Sequence, residues 1–166
     1  MLSQYEAAIV ISSFSKSLSL AGARIGYLAV HPDMPERDKL LAGVTMTNRV
    51  LGYVNAPIIA QRLLEKVLDC GVDTSIYDER RHAMAALLDS AGLQYIMPEG
   101  AFYFFPRCPN GCDDQQFAAE LLKHNVIAVP GSGFGRANHL RLTYCVDSSI
   151  IQGARDSFLR AVEAAT

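Results

Sequence analysis

The chain has 166 residues, enough for one domain or one and a fraction, and 50% of them are hydrophobic against 19% charged. Fifteen Lys and Arg against 17 Asp and Glu leave a net charge of −2, which excludes a broad nucleic-acid or membrane-surface face built on non-specific charge. Twelve Gly and 7 Pro are ordinary for a globular protein and exclude a collagen-like or low-complexity chain.

The stretches free of Asp, Glu, Lys and Arg, Val50 to Gln61 and His124 to Gly135, fall well short of the roughly 20 apolar residues of a transmembrane helix. No basic segment followed by an apolar run opens the chain, so the expectation is a cytoplasmic protein without a secretory signal. Four cysteines (Cys70, Cys108, Cys112, Cys145) are too few for a disulfide scaffold and read as packing or surface residues.

In chain order, Ala7 to Ser12 and Arg24 to Val30 are apolar, β-branched runs that predict two strands around a Ser, Leu and Gly-rich loop. Met34 to Val44 has helical composition, and Asn55-Ala56-Pro57 opens a stronger helix carrying Ile58, Ile59, Leu63, Leu64, Val67 and Leu68. Asp73 to Ala91 predicts a long amphipathic helix, with Tyr77, Met84, Leu87 and Leu88 on one side and Gly92 as its C′ residue. After Pro98-Glu99-Gly100 the pattern gives a strand at Ala101 to Pro106, a helix at Asp113 to His124 and a strand at Val126 to Val129. A loop at Pro130 to Asn138, a strand at His139 to Cys145 and a helix from Asp147 or Ser148 to about Ala164 complete it. The alternation predicts a small α/β or α+β unit in the second half, with a boundary inside the helical middle.

Two groups of residues carry chemistry. Ser13, Ser15 and Lys16 lie at the end of the first predicted strand and Arg24 at the start of the second, so the excursion between them returns the chain to the same end of the sheet. Two hydroxyls and a guanidinium there suit a phosphate dianion, and an amine beside a cation suits attack on an aldehyde. The same residues also fit a polar loop with its Lys and Arg in solvent. In Leu140-Arg141-Leu142-Thr143, period-2 alternation puts the leucines on one face and Arg141 with Thr143 on the other. A substrate carboxylate meeting Arg141 through two parallel hydrogen bonds is one reading, and a solvated sheet face or an internal ion pair is the other.

Gly131-Ser132-Gly133-Phe134-Gly135 lacks the Lys and Ser or Thr of a Walker loop and reads as a turn that needs positive φ. Cys108-Pro109-Asn110-Gly111-Cys112 is turn chemistry without a second ligand pair, so no metal is expected. The four histidines receive no role, and Asp113-Asp114 reads as a helix N-terminal pair.

Taken together, four segments resemble a known family. S-F-S-K-S-L-S-L-A-G-A-R-I-G-Y is similar to the cofactor-lysine motif of the fold type I, class I/II (aspartate aminotransferase-like) pyridoxal-phosphate-dependent aminotransferases. Y-D-E-R-R-H-A-M-A-A-L-L resembles their interdomain helix, P-E-G-A-F-Y-F-F-P their small-domain strand, and V-P-G-S-G-F-G-R-A-N-H-L-R-L-T-Y their substrate-arginine segment. The resemblance implies an α/β chain corresponding to the C-terminal part of that fold. Residues 1–54 would end the cofactor-binding large domain, 55–92 would form interdomain helices and 93–166 the small domain.

The resemblance also assigns roles. Lys16 would hold pyridoxal 5′-phosphate as a Schiff base and shuttle the substrate α-proton, while Ser13, Ser15 and Arg24 would hold the phosphate and Arg141 the substrate α-carboxylate. Implied partners are an amino acid and a 2-oxo acid, with no nucleic acid or membrane, and the implied assembly is a homodimer. The family's second phosphate loop, ring-stacking aromatic and ring-nitrogen Asp cannot be placed in this sequence, so the isolated chain is expected to be inactive. Two alternatives stand beside amino-group transfer: another reaction of the cofactor-bound amino acid, β-elimination or decarboxylation, and a non-catalytic effector or scaffold domain.

Overall fold

The structure, a computed structural model, describes residues Gln4 to Ala165. The chain divides into two compact units, Met1–Val72 and Asp73–Thr166, and the break falls between the two helices expected in the middle segment.

In the first unit, β1 (Ile9–Ser13) pairs antiparallel with β2 (Gly26–Val30) in the register Ile9↔Val30 to Ser13↔Gly26. Between them stand a one-turn helix, α1 (Phe14–Ser17), and a 3₁₀ turn, Ala21–Ala23. Arg24 therefore does not begin a strand: it closes the 3₁₀ turn in the left-handed conformation, φ 51 and ψ 48. Lys16 likewise belongs to α1, one turn beyond the strand end.

Next comes α2 (Arg37–Val50). It starts later than the composition predicts because Pro35 disfavours helical backbone at Met34. It also runs further, since the Thr45 and Thr47 hydroxyls donate to Leu41 O and Gly43 O at 2.8 Å and fit the β-branched residues into the helix. Pro57 caps α3 (Ile58–Val67), as its fixed φ suits a helix start.

The second unit opens with α4 (Ser75–Ser90), which ends in a Schellman closure. Gly92 sits at φ +66, its N–H donates to Asp89 O at 3.0 Å, and Leu93 N–H donates to Leu88 O at 3.1 Å. A three-stranded antiparallel sheet follows, in the order β3 (Tyr103–Phe104), β5 (Leu140–Thr143), β4 (Val129–Pro130). α5 (Asp114–Lys123) is capped by Asp113, whose carboxylate accepts from Gln115 N and Gln116 N. The predicted last helix is two, α6 (Ser148–Gly153) and α7 (Arg155–Ala164), joined at Gly153 and Ala154 where glycine lowers helix preference.

This unit holds the core. Met84, Leu87 and Leu88 of α4, Phe104 of β3, Phe117 and Leu121 of α5, Leu140 and Leu142 of β5, and Phe158, Ala161 and Val162 of α7 pack in one buried cluster. Among the described residues, no helix is long and apolar enough to cross a membrane.

Candidate functional site

The lysine-bearing excursion is closed by backbone. Ser13 pairs with Gly26, and Phe14 N–H donates to Ile25 O at 3.2 Å, so the flanks of the Lys16 to Arg24 segment meet at one end of the β1–β2 hairpin. Gly26 is required there, because a Cβ would lie 2.6 Å from Ser12 O. The Phe14 and Tyr27 rings, 5.6 Å apart, add a side-chain clasp across the same point. Lys16, Ser13 and Arg24 are exposed and Ser15 is half-buried. Ser13 makes no side-chain cap bond to α1, and Ser19 N–H donates to the Lys16 carbonyl at 3.2 Å. The Arg24 guanidinium donates to Ala21 O at 2.9 Å, which folds the side chain back over its own turn. The hairpin end thus presents an amine, two hydroxyls and a guanidinium from one short excursion.

Arg141 belongs to the second unit, at the centre of β5. The alternation read from sequence holds, with Leu140 and Leu142 buried, Arg141 half-buried and Thr143 exposed on the opposite face. Its guanidinium carbon lies 4.0 Å from the centre of the Phe134 ring and 4.5 Å from that of Tyr103, so two aromatic faces hold the cation. The half-buried cation thus packs against two aromatic rings on the sheet face.

The sequence pattern alone does not single out Tyr103 and Phe134. The signal for Tyr103 is the aromatic strand itself, since its antiparallel partner in β5 is Thr143, two residues from Arg141. Phe134 comes from the glycine-rich loop, whose 3₁₀ turn spans Gly131–Phe134. Two glycines in that loop are obligatory. Gly135 has φ +79, and a Cβ on Gly131 would lie 2.4 Å from Arg136 O and 2.7 Å from His139 O. The loop is cinched by Gly131 N–H to His139 O at 2.8 Å and Arg136 N–H to Gly131 O at 3.0 Å.

Asp114, read as half of a helix N-terminal pair, does something different from Asp113. It is 2% exposed, and its carboxylate accepts Ser132 N–H at 2.8 Å and Asn138 N–H at 3.1 Å, from the two ends of the loop. These bonds, with the Ser132 backbone N–H first among them, hold its carboxyl down at about 2.

The mixed α/β architecture matches solved structures of the aspartate aminotransferase type. Residues 1–158 match the family described as aminotransferase class I and II, and the chain belongs to it. Aspartate aminotransferase of Bacillus subtilis (strain 168) is 30% identical over 172 residues, a match covering 95% of this chain and 42% of that enzyme. The crystal structure of an aminotransferase from Eubacterium rectale superposes with a TM-score of 0.84 at 33% identity, over 98% of this chain and 40% of that one. The α-aminoadipate aminotransferase of Thermus thermophilus, solved with N-(5′-phosphopyridoxyl)-L-leucine, gives a TM-score of 0.80 at 26% identity, over 98% and 43%. The chain therefore spans less than half the length of the relatives it matches.

Proposed function

We propose that this chain is the lysine- and arginine-bearing part of a pyridoxal-phosphate-dependent enzyme that moves an amino group between an amino acid and a 2-oxo acid. What supports the reading is the hairpin end: Ser13 pairs with Gly26, and Ser15, Lys16 and Arg24 all lie on the excursion that this pairing closes. This donor set fits the cofactor: Lys16 Nζ is the amine for its aldehyde carbon, and two hydroxyls with a guanidinium match the three acceptor oxygens of its phosphate. When bound, the cofactor supplies the electron sink for the substrate α-carbon. Lys16 Nζ takes and returns the α-proton. Arg141, packed against Tyr103 and Phe134, orients the substrate by pairing its α-carboxylate.

In this reading residues 1–54 close the cofactor-binding domain, 55–92 connect, and 93–166 form the substrate-arginine domain. The protein acts in the cytoplasm as a homodimer. Exposed Ile9, Ile11, Tyr27, Ile58 and Ile59 in the first unit form apolar surface that further protein, from a longer chain or a second copy, would cover, and the free thiols of Cys70 and Cys145 suit a reducing compartment.

The test is transfer of ¹⁵N from a labelled amino acid to an unlabelled 2-oxo acid by protein carrying this chain. Arg141→Lys is expected to raise KM for both acids and leave cofactor binding intact. Labelled ammonia in place of a labelled amino acid would indicate elimination and overturn the assignment.

A further inference from the structure

We propose that Asp114 is a positioning residue for Arg141, acting through the glycine-rich loop and its Phe134 ring; the inference rests on Arg141 as the carboxylate-binding residue.

The helix end does not need Asp114. Asp113 already caps α5, accepting from Gln115 N at 3.0 Å and Gln116 N at 2.9 Å. Asp114 is the buried charged side chain among the described residues, and its two oxygens are spent on the loop, one on Ser132 N–H and one on Asn138 N–H. The far end of the loop is tied down again by Asn138, whose side-chain amide donates to Gly111 O at 2.8 Å and Cys112 O at 2.9 Å. One carboxylate and one amide thus fasten the segment between residues 132 and 138 to the start of α5 and to the turn before it.

That segment carries Phe134, which is 49% exposed and flanked by Gly133 and Gly135. An exposed ring between glycines takes its place from what surrounds it: the Phe105 ring meets it edge-on at 6.5 Å, and the clamp at Ser132 and Asn138 fixes the ends of its segment. It sits 4.0 Å from the Arg141 guanidinium, nearer than Tyr103, which the sheet fixes independently. Releasing the loop would leave Arg141 with one ring face and restore rotamer freedom to a long side chain. The guanidinium edge would then be less well placed for a planar carboxylate.

The experiment is NMR on the whole 166-residue chain, read at the Arg141 side chain, with pyruvate as the carboxylate probe. In the native chain the Arg141 δ and ε protons are expected upfield of their unstructured positions, under the ring currents of Phe134 and Tyr103, and to move on pyruvate addition. Asp114→Asn keeps the shape and removes the charge; Phe134→Leu removes the ring and leaves the clamp. Each is expected to remove the Phe134 share of the upfield shift, leaving that of Tyr103, and to weaken pyruvate binding about five-fold, and the double variant is expected to be no worse than either single one. An unchanged ring shift in Asp114→Asn, or multiplication of the two losses to about 25-fold, would overturn the proposal. Should Asp114→Asn unfold the unit, a second variant at the same position decides. That variant is Asp114→Ser, whose single short hydroxyl cannot hold both loop N–H groups; a reduced ring shift supports the clamp and a native shift refutes it. If pyruvate leaves Arg141 of the native chain unmoved, the carboxylate reading fails, while the ring shifts still decide whether Asp114 positions the side chain.

Discussion

The two units spend their apolar residues differently. In Asp73–Thr166, side chains from four helices and the sheet converge on one cluster in which Leu88, Phe104, Leu121, Leu140 and Ala161 are fully buried. In Met1–Val72 the buried hydrophobics among the described residues are Ala8, Ile25 and Ala60, while Ile11, Val50, Tyr53, Ile58 and Ile59 are each more than half exposed. Similar apolar content thus gives a core in one unit and a surface in the other. Amphipathic spacing makes a helix possible, but only a facing layer turns its stripe into stability. The unit with the core also carries the pre-shaped arginine, whereas the unit with the lysine is joined chiefly by the backbone ladder of one hairpin.

Core truncation gives the largest expected contrast. Phe158→Ala, at a side chain 1% exposed, is expected to cost about 3–5 kcal/mol in chemical denaturation of the second unit. Ile59→Ala, at 81% exposed, is expected to stay within about 0.5 kcal/mol. Equal effects would erase the distinction between the units. Arg141→Leu comes next: loss of the carboxylate partner is expected to lower kcat/KM by about 2–5 kcal/mol with little change in cofactor absorbance. A KM within two-fold of the native value would remove Arg141 from the substrate site.

Acid sharpens the same comparison, because the buried acceptor lies in the second unit. Asp114 is held at about 2, so its contribution is complete above the ordinary carboxylate range and is lost as pH falls through about 2. Asp147, lowered by hydrogen bonds from Ser149, acts in the same direction. The denaturation midpoint of the second unit should fall between about pH 4 and about pH 2, and Asp114→Asn should flatten that slope; an identical slope would assign the acid sensitivity elsewhere.

Much of the second unit was legible in the sequence because its signals are local. Asp113 at the helix start, Gly92 as C′ residue and the Leu140, Leu142 alternation each depend on neighbours within a few positions. The misses are long-range or conformationally uncommon. Asp114 meets partners 18 and 24 residues away, and Phe134 reaches Arg141 only because the loop folds over β5. The left-handed Arg24 defeats a strand reading because non-glycine residues seldom adopt that backbone. The strand run expected at Ala101 to Pro106 shrinks to Tyr103–Phe104 in β3, and of that expected at Val126 to Val129 Val129 alone remains, joined in β4 by Pro130 from the expected loop. The lysine cluster was legible as a set of residue types, while its closure through Ser13↔Gly26 required the register.

The smallest expected effect is on thiol reactivity. Burial pushes the Cys108 thiol up to about 12 and raises Cys112 as well, whereas Cys70 and Cys145 are exposed. At neutral pH, Cys70 and Cys145 should react first with an aromatic disulfide reagent, and Cys108 only on unfolding. Early modification of Cys108 would mean that the second unit opens more readily than its core implies.

Covalent capture at the hairpin end tests the functional reading most directly. Protein carrying this chain is loaded with pyridoxal phosphate, reduced with borohydride, digested, and its phosphopyridoxyl peptide sequenced. The label is expected on Lys16 alone, and Ser13→Ala, Ser15→Ala or Arg24→Leu should each reduce its yield at limiting cofactor. A label on Lys39, Lys66 or Lys123, with Lys16 unmodified, would contradict the assignment of the hairpin end as the cofactor site.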